Sequence, residues 1–313
     1  MKWAGIDLGG TFIKCGIVNE EYQILCQDSV PTGRERDSME VIKDMAALVV
    51  ATAKKAGVDV SELAGVGIGS PGISDTSTGE ILYSNNIAWE HVQLGKQLGE
   101  LLKLPVKVSN DANCAALGEL VCDTSAVYKN AVMITLGTGV GSGIIIDGRL
   151  YEGATIGGTE LGHMVICHGG RPCNCGRTGC LETYVSTSAL IRDVKDCVMK
   201  YGSSCLQELA QTDALNGKDI IAAVRQGDSA AKEAFDGYLE SLACGITNII
   251  NIFRPEVVYL GGGICEGFDL MGNYLNAYVQ EHCFGGRTAQ VAEIKKATQG
   301  NAAGIIGAAA LFR

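Results

Sequence analysis

Apolar residues along the chain form short runs of strand character and longer runs with helical spacing. Three apolar runs near the N-terminus, WAGIDL, FIKCGIV and YQILCQDSV, predict strands joined by turns. The segment 38–56 has helical spacing, and Asp37 and Glu40 stand at capping-box spacing at its start. AGVGIG (64–69) predicts a buried strand, LGKQLGELLKL a helix, PVKVSN a strand and DANCAALGELV a helix. This alternation predicts an α/β fold with crossover helices.

A second round of the same pattern begins near residue 131. AVMITLGTGVGSGIIIDGRLY is again strand, glycine turn and strand, and it resembles GIDLGGTFIKCGIV from the first round. The likeness suggests two related α/β halves that face each other, with a hinge near 117–130. Long helices are predicted at 186–201 and 229–253, the second ended by Pro255. EVVYLGGGI then predicts a strand and turn, and GNAAGIIGAAALF a closing helix.

Composition narrows the class of protein. The chain has 313 residues, of which 47% are hydrophobic, and this suits two globular domains. A net charge of −10 disfavours nucleic acid and anionic membranes as partners, whereas a few local cations still allow a phosphate-bearing small molecule. MKWAGIDLGGT has no signal-peptide hydrophobic region, and no apolar run reaches the roughly 18 residues of a membrane span. We therefore expect a cytoplasmic protein.

The chain contains 13 cysteines in two kinds of setting. Most lie singly among apolar residues, as Cys15 and Cys114 do, and we interpret these as buried free thiols. The stretch GHMVICHGGRPCNCGRTGCLET (162–183) instead concentrates cysteines and histidines, which predicts a metal site. A redox pair of Cys173 and Cys175 is the competing interpretation, although the spacing is CxC rather than CxxC.

Glycine turns at the ends of apolar strands favour a phosphate site. The chain has no GxxxxGK[ST] sequence, and GIGSPG (67–72) matches GxGxxG but does not open a helix. The turns LGGT (8–11), LGTGVGSG (136–143) and LGGGI (260–264) allow backbone N–H groups to approach an anion closely. Each alone is a tight turn, but together they favour a nucleotide phosphate chain. Asp7, just before the first turn, suits Mg²⁺ as an oxygen ligand.

Asp111 is the candidate general base. SNDAN (109–113) ends a predicted strand and opens a helix, so capping of the helix N-terminus is the structural alternative. The carboxyl ends of strands are where α/β proteins form their clefts. A carboxylate there can accept the proton of an attacking hydroxyl during phosphoryl transfer. Asn110 can both donate a hydrogen bond to a neighbouring hydroxyl and accept one from it.

The motifs together resemble the ROK family of sugar kinases, and ROK-type glucokinases most of all. DLGGT, GSPG, SNDAN, LGTGVGSG, GGTELGHM, CNCGRTGCLET and LGGGI occur in this order and span essentially the whole chain. The combination of ELGHM with CxCGxxGCLE is highly specific. The resemblance implies a two-lobed ribonuclease-H-like (actin/hexokinase-type) ATPase fold with an interlobe cleft. The expected lobes are 1–117, joined by a C-terminal helix at about 300–313, and 118–299, which carries the cysteine loop.

The resemblance implies an enzyme that uses ATP and Mg²⁺ to phosphorylate glucose at the 6-hydroxyl, with Asp111 as base and Asp7 acting on Mg²⁺. Lys14, beside the first turn, is interpreted as a solvated strand charge. The ATP phosphates are expected at Gly9, Gly10, Thr11, Gly137, Thr138 and Gly139, and the adenosine at Gly261, Gly262 and Gly263. The sugar is expected at Asn110, Glu160, His163 and Glu182, with the backbone near Gly69 and the side chain of Asn86 as further candidates.

The resemblance also assigns the ligands of the metal site, which are His163, Cys173, Cys175 and Cys180. Such a set suits tetrahedral Zn²⁺ and leaves no open coordination position, which predicts a structural metal. Cys167 and His168 stay open as alternative ligands. Glu160 and Glu182 stand within a few residues of the ligands, so zinc would hold both carboxylates. The second nitrogen of a zinc-bound His163 would be free for a sugar hydroxyl.

Several alternatives remain open at this stage. Glu160 and Glu182 recognise hydroxyls common to many hexoses, so a kinase for N-acetylmannosamine, N-acetylglucosamine, fructose or allose is the nearest one. A sugar-responsive ROK repressor is disfavoured, because such repressors carry an N-terminal helix-turn-helix and this acidic chain has no basic patch. Asp7 and Asp111 disfavour a non-catalytic sugar-binding protein. The resemblance suggests a homodimer or homotetramer.

Overall fold

The computed structural model describes residues 1–154 and 158–313. Its strands are β1 (Lys2–Leu8), β2 (Phe12–Asn19), β3 (Ile24–Pro31), β4 (Val66–Ser70), β5 (Ile73–Asp75), β6 (Glu80–Ser84), β7 (Trp89–Val92), β8 (Val106–Asn110), β9 (Ala131–Leu136), β10 (Val140–Ile146), β11 (Arg149–Leu150), β12 (Val257–Gly261) and β13 (Glu293–Lys296). Its α-helices are α1 (Ser38–Lys55), α2 (Leu94–Leu102), α3 (Asp111–Cys122), α4 (Glu182–Val185), α5 (Thr187–Tyr201), α6 (Gly217–Arg225), α7 (Ser229–Phe253), α8 (Phe268–His282) and α9 (Ala303–Ala309).

Internal contacts divide the chain into two compact units. The first comprises Met1–Met133, Gly143–Thr159 and Thr298–Arg313, and the second comprises Ile134–Ser142 and Glu160–Ala297. Both units contain strands and helices, which confirms the predicted α/β class. No described helix combines the length and the apolar character that a membrane span requires.

The first unit is built on a five-stranded sheet of order β3-β2-β1-β4-β8. β1 pairs antiparallel with β2 and parallel with β4, and β4 pairs parallel with β8. Ile6, Ile13 and Ile68 of these strands are fully buried and belong to one apolar cluster with residues of α1 and α2. A smaller three-stranded sheet has the order β5-β6-β7. The three parallel strands β1, β4 and β8 therefore present their carboxyl ends at one edge of the main sheet.

Helix α1 follows the sequence pattern closely. Asp37 caps its N-terminus by accepting a hydrogen bond from the backbone N–H of Met39 at 2.9 Å. The apolar positions Ile42, Met45 and Val49 are fully buried, because they recur on one face of the helix. The predicted helix at 38–56 is thereby confirmed to within one residue at its C-terminal end.

In the second unit, the long helix α7 packs against α4, α5, α6 and α8. Phe235, Tyr238, Leu242 and Ile246 lie on its buried side. The strand β12 pairs parallel with β13, and every residue of β12 is buried. Arg254 adopts the left-handed conformation and ends α7, so the helix stops just before Pro255, as predicted.

The C-terminal helix α9 lies against α3, β1 and β4 of the first unit at unusually short range. A Cβ atom on Gly307 would lie 1.6 Å from the carbonyl oxygen of Cys114, and one on Gly118 would lie 2.1 Å from that of Ala303. The two helix backbones therefore touch at positions that no side chain can occupy.

A buried carboxylate fixes the chain where it enters α9. Glu119 of α3 is only 2% exposed, and it accepts hydrogen bonds from the backbone N–H groups of Thr298 at 2.8 Å and Gln299 at 2.7 Å. Burying an ionised carboxylate is costly unless such donors satisfy it. Glu119 therefore anchors the segment before α9 to the helix on which α9 packs.

We expect Gly307→Ala to lower the free energy of unfolding by about 2 kcal/mol or more, because the added methyl overlaps a backbone carbonyl that cannot move freely. Gly237→Ala is the matched control. Gly237 is exposed in α7 with no atom within 4 Å of an added Cβ, so alanine there should stabilise by up to about 1 kcal/mol. Thermal unfolding of both variants tests this, and an equal Tm for the two would contradict the packing argument.

Candidate active site and metal centre

The candidate base and the candidate magnesium ligand lie at the same edge of the first sheet. In the parallel register, Asp7 of β1 stands beside Gly69 of β4, and Gly69 stands beside Ser109 of β8. Asp111 begins α3 directly after that strand. A Cβ atom on Gly69 would lie 3.4 Å from the Cα atom of Asp111, so the backbone of β4 lies close to the start of the helix.

The electrostatic environment of Asp111 shifts the pKa of its carboxylate. Desolvation by the surrounding protein raises the pKa of Asp111 above its ordinary value, and the negative charge of Asp7 raises the pKa further. The backbone N–H of Ala112, which donates to Oδ1 at 2.8 Å, opposes the shift. The residue nevertheless keeps solvent-exposed surface. Asp111 is therefore a stronger base than an ordinary aspartate and can receive a proton from a ligand.

The structural alternative, helix capping, is fulfilled by the neighbouring Asn110. Its side-chain oxygen accepts from the backbone N–H groups of Ala112 at 2.8 Å and Asn113 at 3.4 Å. Its Nδ2 donates to the carbonyl of Gly72 at 3.2 Å. Asn110 thus caps the N-terminus of α3 and fixes the direction of the chain between β8 and Asp111. Its contact with a sugar stays a prediction.

The first glycine turn is held by hydrogen bonds from Thr32, a residue that the sequence pattern did not predict. Thr32 is fully buried, and its hydroxyl donates to the carbonyl of Gly9 at 2.6 Å while its backbone N–H donates to that of Thr11 at 2.9 Å. The backbone of Asn86 lies over Gly10, since a Cβ there would be 3.3 Å from the Asn86 carbonyl oxygen. The carbonyls of Gly9 and Thr11 are therefore directed to Thr32.

Lys14, interpreted from the sequence as a solvated strand charge, has a partly exposed side chain on β2 and also has a carboxylate partner. Lys14 stands directly opposite Asp7 in the β1–β2 hairpin, and its Nζ donates to Oδ2 of Asp7 at 3.0 Å. Residues equally far from a hairpin turn face each other, so the sequence did hold the signal. The pair places a positive charge beside the glycine turn where a phosphate is expected.

In the second unit, the glycine turn between β9 and β10 is fixed by the start of α5. The backbone N–H of Thr187 donates to the carbonyl of Gly137 at 2.8 Å, and the hydroxyl of Ser188 donates to that of Thr138 at 3.0 Å. The N–H of Gly137 closes the turn onto the carbonyl of Gly139 at 3.0 Å.

The third glycine turn follows β12. Gly262 has a φ of +102°, and a Cβ atom there would lie 2.1 Å from the carbonyl oxygen of Leu136, so only glycine fits. Nothing lies within 4 Å of a Cβ built on Gly263. The turn therefore combines a close approach to β9 at Gly262 with open space at the next residue, as contact with a ligand would require.

The predicted metal ligands come together as one cluster. The side-chain donor atoms of His163, Cys173, Cys175 and Cys180 all lie within 4.8 Å of one another. Nδ1 of His163 is 3.5 Å from Sγ of Cys173, and the sulfurs of Cys175 and Cys180 are 3.7 Å apart. Cys167 and His168 do not belong to the cluster.

The separations of 3.5 Å and 3.7 Å match edges of a tetrahedron around zinc, and the upper bound of 4.8 Å on the whole cluster is wider than such an edge. Bond lengths of about 2.3 Å to sulfur and about 2.0–2.1 Å to nitrogen give edges of about 3.8 Å between sulfurs and about 3.6 Å between sulfur and nitrogen. A disulfide would need sulfurs about 2.0 Å apart, and each cysteine of the cluster is free. The donor set therefore suits a tetrahedral cation better than a redox pair.

Glu182 joins the metal cluster to the second glycine turn. Its Oε2 accepts from the backbone N–H of Val140, directly after the turn, at 2.9 Å, and Sγ of Cys173 lies 3.9 Å from its Oε1. Because Nδ1 of His163 faces the cluster, Nε2 is the nitrogen left for a ligand. Glu160 precedes the short 3₁₀ turn Leu161–His163, and its backbone carbonyl accepts a hydrogen bond from the N–H of His163 at 3.1 Å. Gly157 of the GGTELGHM motif lies outside the described residues.

Comparison with known proteins identifies the family. The ROK family profile matches residues 3–313, and the chain belongs to the ROK family. A glucokinase of Halalkalibacterium halodurans is 35% identical over 98% of this chain and 93% of its own. An N-acetyl-D-glucosamine kinase of Aliivibrio fischeri is 32% identical over 98% of each chain.

The fold of the family is also found here. The crystal structure of a ROK family glucokinase from Streptomyces griseus, in complex with glucose and AMPPNP, matches with a TM-score of 0.80 and 32% identity over 99% of each chain. The predicted family and fold class are thereby confirmed.

We expect Asp111→Asn to raise Tm at neutral pH, because it removes a charge that folding desolvates. The folded state binds the Asp111 proton more tightly than the unfolded state does, so ionisation of Asp111 destabilises the fold above its raised pKa. The gap in Tm between variant and wild type should shrink as the pH falls towards about 4, the ordinary aspartate pKa.

The matched control is Asp28→Asn. A hydrogen bond from Lys55 lowers the pKa of Asp28, so its charge is favoured by folding and its removal should not raise Tm. Thermal unfolding between pH 4 and pH 8 compares the two. A Tm for Asp111→Asn below that of the wild type at pH 7 would contradict the assigned direction.

Proposed function

We propose that the chain transfers the γ-phosphate of ATP to the 6-hydroxyl of glucose. The observation that carries this proposal is the carboxylate of Asp111, exposed yet raised in pKa, at the strand edge that also holds Asp7 and the first glycine turn. Relatives named glucokinase and a glucokinase structure with bound glucose and AMPPNP support the broader assignment, an ATP:hexose phosphotransferase.

Asp111 accepts the proton of the attacking hydroxyl in this mechanism. Proton acceptance increases the negative charge on the attacking oxygen as the bond to phosphorus forms. The raised pKa of Asp111 makes the carboxylate a better acceptor at neutral pH than an unperturbed aspartate. Asn110 fixes the N-terminus of α3, so the carboxylate is held in place before the substrate arrives.

Backbone N–H groups of the two glycine turns and one lysine receive the phosphates, except that the N–H groups of Gly9 and Gly137 close their own turns onto the carbonyls of Phe12 and Gly139. Gly9, Gly10 and Thr11 in the first unit, with Gly137, Thr138 and Gly139 in the second, present turns whose carbonyls are largely held by the protein. Lys14 adds positive charge beside the first of these turns. Mg²⁺ would be held at Asp7, directly or through water, and would neutralise charge on the phosphates. Gly261, Gly262 and Gly263 accommodate the adenosine.

The sugar is held by groups of the metal-cluster region. Nε2 of His163 donates to a hydroxyl, while the carboxylates of Glu160 and Glu182 accept from others. We propose Zn²⁺ for the cluster itself, since its donor set and distances suit that ion. The ion is structural in this proposal, because four protein ligands leave no position for a reacting water.

N-acetylglucosamine is the second candidate substrate. It is favoured by the N-acetyl-D-glucosamine kinase that matches 98% of the chain at 32% identity. The two substrates share most of the hydroxyls that Glu160, His163 and Glu182 would recognise. They differ at the 2-position, where the N-acetyl group needs additional space.

The test is ADP release with Mg-ATP and a panel of glucose, mannose, fructose, allose, N-acetylglucosamine and N-acetylmannosamine. We expect glucose to give the highest kcat/KM. Asp111→Asn should bind glucose nearly as well and lose most of kcat, on the order of 10²–10⁴-fold, because only the proton acceptor is removed. Preference for an N-acetyl sugar would correct the substrate, and near-normal kcat in the variant would show that Asp111 is not the base.

Metal analysis of the purified protein should find about one Zn²⁺ per chain. Cys175→Ser should lose most of it, lower Tm and raise KM for the sugar, because the loop that positions Glu182 and His163 is no longer held. Cys167→Ser is the matched control, since Cys167 is exposed like Cys175 but lies outside the cluster. Equal zinc content in the two variants would reject the ligand set.

A further inference from the structure

Glu152 lies outside every motif that identified the active site, yet the fold brings it to the base helix. It follows β11, the second strand of the β10–β11 hairpin. The backbone N–H of Tyr151 donates to the carbonyl of Ile144 at 2.8 Å, so the hairpin pairing continues to Tyr151, the residue before Glu152. Strand pairing therefore fixes the residue that precedes Glu152.

The same hairpin lies directly on the first turns of α3. A Cβ atom on Gly143 of β10 would lie 2.6 Å from Cβ of Ala116 and 2.9 Å from the carbonyl oxygen of Ala112. The strand thus passes the helix at a distance that only glycine allows. Any shift of the hairpin would be transmitted to the helix that carries Asp111.

Glu152 satisfies two buried polar side chains at this junction. Its Oε1 accepts from the hydroxyl of Ser109 at 2.6 Å and from Nδ2 of Asn113 at 3.3 Å. Ser109 is 1% exposed and Asn113 is 3% exposed, so both depend on protein partners, and Nδ2 of Asn113 also donates to the hydroxyl oxygen of Ser109 at 3.4 Å. A charged acceptor makes such hydrogen bonds stronger than a neutral one does.

The carboxylate also shares its surroundings with the two acidic residues of the site. Burial raises the pKa of Cys114 well above its ordinary value, and the charges of Asp111, Asp7 and Glu152 add to that effect in this order. Glu152 therefore acts on the same small region of the first unit as the proposed base and the proposed magnesium ligand.

We propose that Glu152 is a positioning residue for Asp111. Ser109 is the penultimate residue of the strand before the base and Asn113 lies in the first turn of the helix after it, so one carboxylate oxygen binds side chains on both sides of Asp111. The inference rests on the proposed kinase function for its consequence in catalysis. Glu152 touches neither sugar nor nucleotide in this account, and it acts through the orientation of the base.

The test compares Glu152→Ala with Glu152→Gln, which keeps an acceptor oxygen on a side chain of similar size. We expect Glu152→Ala to lower kcat by about 10–100-fold, since small misplacements of a reacting group are costly, while KM for glucose and for ATP changes by less than about threefold. Glu152→Gln should recover most of that loss. Glu62→Ala, at an exposed glutamate of the same unit, is the control and should leave kcat unchanged.

Hydrogen exchange supplies a readout that does not depend on the reaction. The backbone amides of residues 112–114 should exchange about tenfold faster in Glu152→Ala and at the wild-type rate in Glu152→Gln. Unchanged exchange in Glu152→Ala, or an equal loss of kcat in both variants, would overturn the proposal. If the wild type phosphorylates no sugar, the proposed function fails, and the exchange rates alone decide whether Glu152 holds the helix.

Discussion

The active-site edge of the first unit depends on backbone-to-backbone packing that only glycine permits. Cβ atoms on Gly5 of β1 and Gly67 of β4 would lie 1.9 Å from the carbonyl oxygen of Ile305 and 1.7 Å from that of Ala308, both in α9. The same helix meets α3 at Gly307. Because α9 contacts the two strands and the base helix at once, it sets the position of α3 on the sheet. The approach of Asp111 to Asp7 follows from this packing.

Much of this arrangement was readable from local pattern. Helices α1, α5 and α7 have clear apolar spacing, and the structure places them within a few residues of the predicted limits. Helices α6 and α8 were not predicted. The first is short, and α8 starts after Gly267 without a side-chain cap. The strands β5 to β7 are short, and β5 has no buried residue, so the alternation of apolar and polar residues was too brief to predict them.

The contacts that hold the candidate site were harder to predict than its reacting groups. Asp111 and the metal ligands occur in compact motifs, whereas Thr32 and Glu152 act on turns and helices far from them along the chain. Such pairs arise from strand register and hairpin packing, which leave no periodic trace in one sequence. Lys14 is an example, because its partner Asp7 follows from the pairing of β1 with β2 and not from the pattern of either strand alone.

The two carboxylates proposed for base and sugar contact are controlled by different physical means. Asp111 is tuned by desolvation and by the charge of Asp7, within the first unit. Glu182 is oriented by the N–H of Val140 and by the neighbouring thiol of Cys173, within the second. Loss of the metal cluster should therefore disturb where Glu182 points and leave the basicity of Asp111 unaltered. Under the proposed function, the metal then governs how a sugar is held, and the sheet edge governs how its proton is taken.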